Sequence, residues 1–63
     1  MRLNLVLDTD NAAFDGDNLG PEVSRILIKY ANAIKEESAH ALLIRASLKD
    51  TNGNTVGNAL WIK

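Results

Sequence analysis

Four aspartates, Asp8, Asp10, Asp15 and Asp17, fall in one stretch of ten residues, and closely spaced carboxylates are the raw material of a calcium loop. The spacing does not meet that geometry. A loop starting at Asp8 needs an oxygen ligand where Ala12 stands, and one starting at Asp15 lacks the required glycine and terminal glutamate. They read instead as turn-forming, solvated side chains. His40 is the sole histidine and there is no cysteine, so a His/Cys metal site has no second ligand. Ser24, Ser38 and Ser47 have no general base at a recognisable spacing. The expectation is a protein that is not an enzyme and carries no metal or cofactor.

What remains is binding equipment. A polar loop, Asp10-Asn11-Ala12-Ala13-Phe14, runs toward the start of a helix, where backbone N–H groups are a ready anion site. Arg25 and Arg45 could pair with phosphate. Phe14, Tyr30 and Trp61 are potential stacking surfaces. Together these suit a nucleotide-like ligand, although each aromatic has the plainer reading of core or interface.

The elements that must position these groups follow from periodicity. Leu3, Leu5 and Leu7 alternate with polar neighbours and Val6, the period of a strand with one buried face. Asp8 to Gly20 reads as a loop anchored by Phe14. Pro21 to Glu37 reads as the one helix, with Gly20 as its cap. Val23, Ile26, Leu27, Tyr30, Ala31 and Ile34 form its apolar stripe, and Glu22, Arg25 and Lys29 its outer side. Ile28 lies about 140° around the wheel from Val23 and breaks the pattern. Leu42, Ile44, Ala46 and Leu48, then Val56, Leu60 and Ile62, form a hairpin around Asp50-Thr51-Asn52-Gly53-Asn54. A three-residue loop places Gly53 at the left-handed position such loops require. It sets Leu48 opposite Val56 and Ala46 opposite Asn58 on the helix-covered face, where only Asn58 is out of character. On the uncovered face it sets Leu43 opposite Trp61 and Arg45 opposite Ala59.

The fold class is therefore α+β, a single domain over residues 1–63, with element order β-α-β-β and one helix on one face of a three-stranded sheet of order 1-3-2. A chain of 63 residues without cysteine has a thin core, and association with a second copy is the natural support. Val6, Leu43 and Trp61 are expected in the oligomer interface because one helix leaves the other sheet face wet, and Ile28 is expected there as the exposed apolar residue off the helix stripe.

Net charge is −1, from 7 basic and 8 acidic residues, which argues against a nucleic-acid binder. The distribution is uneven: the first twenty residues are acidic, and everything after Gly20 has a basic excess that could hold an anion. No apolar run approaches a membrane span and Met1 to Leu7 lacks a signal-peptide core, so no membrane partner and a cytoplasmic location are expected.

Thr9-Asp10-Asn11-Ala12-Ala13-Phe14, a helix containing Ser24-Arg25-Ile26-Leu27, and Asp50-Thr51-Asn52-Gly53-Asn54-Thr55-Val56-Gly57 resemble a group of very small phage and prophage proteins sharing a "TDNAAF, helix, D-x-NGN-x-VG" pattern. The resemblance covers nearly the whole chain. Small oligomeric phage proteins of this general kind include sponges that sequester nucleotide immune signals of bacterial defence. By that analogy the chain is expected to be a homo-oligomer in the host-cell cytoplasm that captures an ADP-ribose derivative or cyclic nucleotide, with Asp10, Asn11, Ala12, Ala13, Phe14, Arg25 and Arg45 around the ligand. The alternative is a module that docks a host or phage protein through its uncovered sheet face.

Overall fold

A computed structural model of the protein describes residues 1–36 and 45–62. Strand β1 spans Arg2–Leu7, helix α1 spans Leu19–Glu36, and strands β2 and β3 span Arg45–Lys49 and Thr55–Ile62. The sheet order is β1-β3-β2 with both pairings antiparallel. Outer strands β1 and β2 are therefore parallel to each other, as the single helical crossover requires, and α1 covers one face of the sheet. The fold is α+β with the expected strand order.

Between β1 and α1 the chain makes two 3-10 turns, Ala12–Phe14 and Gly16–Asn18. The first swings Phe14 into the core, where it is buried with Ile26, Tyr30, Leu48, Val56 and Ala59. The second feeds straight into α1, which consequently begins at Leu19, before the expected Gly20 cap. Pro21 still lies in the first turn, where its missing N–H has no carbonyl to meet. The helix is rolled relative to the expected stripe. Glu22, Ile26 and Tyr30 are buried, while Leu27 and Ala31 are exposed. Glu22 thus belongs to the inward side, and the cause is polar: its carboxylate has partners to meet there.

The hairpin loop forms as expected, with Asp50 N donating to Asn54 O, Gly53 N donating to Asp50 O, and Gly53 at φ 85°. Lys49 faces Thr55, but from there the register shifts by one residue. Val56 is an extra residue in β3, so Leu48 faces Gly57, Ser47 faces Asn58, Ala46 faces Ala59 and Arg45 faces Leu60. A one-residue shift exchanges the two faces of everything beyond it. The bulge removes the anomaly of a polar residue under the helix: Asn58 turns to the uncovered face and Ala59 becomes fully buried. It equally carries Trp61 to the covered face, where the indole Nε1 donates to Tyr30 Oη at 3.0 Å. Gly57 is dictated by the same packing, since a Cβ there would lie 2.0 Å from Val6 O in β1. The expected inward positions of Leu42 and Ile44 lie outside the described residues.

Candidate functional site

The expected binding loop is held down from both ends by hydrogen bonds made within the chain. Asn11 caps the first 3-10 turn, its Oδ1 accepting from Ala13 N at 2.9 Å, and its Nδ2 donates to Asp50 Oδ2 at 2.8 Å. Asp10 N donates to Asp8 Oδ1 at 3.0 Å, a local Asx turn. Asp50 is the hub of the region. Its carboxylate also accepts from Asn52 N at 2.9 Å, Asn54 N at 2.8 Å and Asn54 Nδ2 at 3.1 Å, so the hairpin loop and the Asp10 to Phe14 loop converge on one buried acid.

A second acid sits beside it. Glu22 Oε2 accepts from Thr51 N at 2.8 Å, and its carboxylate is gripped by Arg25 through Nε at 2.7 Å and Nη2 at 3.2 Å. Arg25 Nη2 also donates to Lys49 O at 3.3 Å. The Arg25 hydrogen bond holds Glu22 below the usual carboxylate range, against burial and the neighbouring Asp50 charge that push it up. Burial pushes Asp50 up as well, but the donors from Asn54, Asn11 and Asn52 outweigh it and the net shift is downward. Among the described residues no buried side-chain N or O lacks a partner.

These bonds decide what the expected site residues can do. Phe14 is core and offers no stacking face. Asn11 uses its amide oxygen and nitrogen inside the chain, and Arg25 uses Nε and Nη2 there while its side chain stays 40% exposed. Ala12 is exposed and Ala13 is half-buried against the core. The shallow groove of about 340 Å³ beside the loop is lined by Asp8, Asp10, Asn11 and the Thr55 to Asn58 segment. It presents two carboxylates and no cation, the wrong sign for phosphate. Arg45 does not line this groove: it stands opposite Leu60 on the uncovered face, not opposite Ala59. The candidate ligand residues therefore divide into a structural cluster at the hairpin end and one arginine on the sheet surface.

The expected interface residues divide too. Val6 lies on the uncovered face and is 62% exposed; Ile28 is exposed on the outward side of α1; Trp61 packs under the helix; Leu43 lies outside the described residues. The uncovered face instead carries Val6, Leu60 and Ile62, bordered by Arg2, Asn4, Arg45, Ser47 and Asn58. Sequence reasoning missed Glu22 and Asp50. Asp50 had a readable signal, an aspartate opening a Thr-Asn-Gly-Asn turn; Glu22 had only its i, i+3 spacing to Arg25.

Among the described residues no cluster of His, Cys, Asp or Glu could hold a metal ion, and no helix is long and apolar enough to cross a membrane. Comparison of the chain with protein-family models, curated proteins and solved structures finds no match.

Proposed function

We propose that this chain is a non-catalytic binding protein that docks a protein partner on its uncovered sheet face, and that the partner presents an apolar patch rimmed by carboxylates. One observation carries the reading. Val6, Leu60 and Ile62 form an apolar centre whose two cations, Arg2 and Arg45, make no ion pair among the described residues, whereas Arg25 is already matched to Glu22. Apolar centres with charged rims are the anatomy of protein interfaces. The resemblance to phage proteins directs the search for the partner to bacterial lysate.

Affinity capture with tagged wild type and with Val6→Glu/Arg45→Glu is the test. Support is one protein retained by wild type, released by salt, and lost with the double variant whose circular dichroism and melting match wild type. Equal retention by both, or none by wild type, overturns the reading.

Nucleotide capture stands second, because Arg2 and Arg45 could hold an anion on the same face. Calorimetry of wild type with ADP-ribose derivatives and cyclic dinucleotides separates the two. Binding that Arg45→Ala weakens about tenfold, the loss of one charge-assisted contact, would put the sponge reading first.

A further inference from the structure

The helix does not sit centrally over the sheet. It lies against β2 and the two 3-10 turns, so Leu48 of β2 is 4% exposed while Leu3, on the same face of β1, is 37% exposed. Leu5 and Leu7 are half-covered, and on α1 the exposed Leu27 (40%) and Ala31 lie on the flank away from β2. That flank is identified by its opposite: Lys29 and Ala33 line the small hollow against Ala46, Ser47 and Leu48. After Leu7 the chain turns toward the β2–β3 hairpin, where Asn11 meets Asp50. Among the described residues β1 therefore has a strand neighbour on one side only, and its outer backbone edge is open beside a strip of half-covered leucines.

We infer that β1 pairs antiparallel with β1 of a second copy about a two-fold axis at Leu5, forming a continuous six-stranded sheet with both helices on one face. The occupant is argued from self-complementarity. Pairs across an antiparallel ladder share a face, so the leucine row stays on the helix side only in registers that match odd residues with odd. The register centred on Leu5 sets Leu3 against Leu7 of the second copy and Leu5 against itself. It also sets Arg2 against Asp8 of the second copy at both ends of the ladder. The register centred on Asn4 would place Arg2 opposite Val6 and leave every charge unmatched. Opposite charges and apolar pairs directly across a ladder are its stabilising units, and a two-fold axis makes the patch complementary to itself. The flanks bearing Leu27 and Ala31 then face each other over the joined leucine rows. The association leaves Val6, Leu60, Ile62 and Arg45 of the docking surface proposed above uncovered, but it takes up Arg2, one of that surface's two cations, in the pair with Asp8 of the second copy.

The register is tested by cysteine substitution in a chain that has no cysteine. Directly paired strand residues have Cα atoms roughly 4.5–5.5 Å apart, within disulfide reach, so Leu5→Cys should cross-link to a covalent dimer under mild oxidation. Asn4→Cys, displaced from its own copy along the ladder, should not. Wild type should sediment at twice the 6.9 kDa chain mass. Charge reversal in Arg2→Asp or Asp8→Arg should weaken the dimer about tenfold, and the combined swap should restore it. Wild type that is monomeric at 100-fold the concentration of the assay's detection limit overturns the inference. So does cross-linking that is equal at Leu5 and Asn4, or a dimer indifferent to both charge reversals. If Leu5→Cys fails to fold, the mass and the charge swap decide alone.

Discussion

At the hairpin end of the molecule, Asp50 and Glu22 are buried and saturated: four donors meet the first and three the second, all from within the chain. Along the β1 side, leucines are half-covered, and among the described residues a backbone edge is open and the uncovered face shows apolar side chains beside Arg2 and Arg45, which make no ion pair. The polar residues most suggestive of a binding loop are thus the ones committed to holding the loop down. Buried polar groups must be satisfied, and here satisfying them stitches three separate stretches, the Asn11 loop, the start of α1 and the hairpin, into one body. Capacity for outside partners is left where the hydrogen bonding is incomplete and the apolar surface unburied.

Breaking the saturated end should have the largest effect. Asp50→Ala strands the Asn11 and Asn54 amides and the Asn52 and Asn54 N–H groups together, and is expected to remove the cooperative thermal transition followed by circular dichroism. Asn11→Ala should lower the melting temperature less, because Asp50 keeps its donors from the hairpin loop. A retained sharp transition in Asp50→Ala would mean that the stitching contributes little.

Gly57→Ala comes next. Its Cβ would meet backbone at Val6, so strand β1 must move; overpacking of this kind costs about 1–3 kcal/mol, read by urea unfolding. Because β1 is the strand displaced, the same variant should also loosen any assembly that depends on its edge.

The two acids also set a pH dependence. Both have folded-state values below their ordinary ones of 4.5 and 3.8, so each stabilises the folded state above its unfolded value, and that contribution is lost as pH falls through the lowered folded value. Stability should be level from neutral pH to about pH 5 and decline below it. Glu22→Gln should flatten the decline, measured by melting temperature across an acid series.

The smallest effects sharpen the comparison from the other side. Trp61→Phe removes one hydrogen bond to Tyr30 and should cost about 1 kcal/mol, whereas an interface role would have shown in association rather than in stability. Val6→Ser, on the uncovered face, should change stability of the single chain by no more than about 0.5 kcal/mol.

Element types and their order were legible in the sequence because they rest on local rules: period two in Leu3, Leu5 and Leu7, a 3.6-residue period after Pro21, and the left-handed requirement at Gly53. A right-handed crossover leaves the first two strands parallel, the simplest place for the last strand is between them, and Phe14 announced itself as an anchor by being a large apolar residue in a polar loop. The faces of the second hairpin strand were not legible. One extra residue at Val56 exchanges inside and outside for Asn58, Leu60 and Trp61, and nothing local marks a bulge there. Its reason is the close approach of β1 to Gly57 and the fit of Ala59 beneath the helix. The roles of Asn11, Glu22 and Arg25 were hidden for the same reason. A side chain's composition says what bonds it can make, but whether those bonds go inward or outward depends on which distant segment packs beside it, and only the tertiary fold brings Asp50 to Asn11 and Thr51 to Glu22.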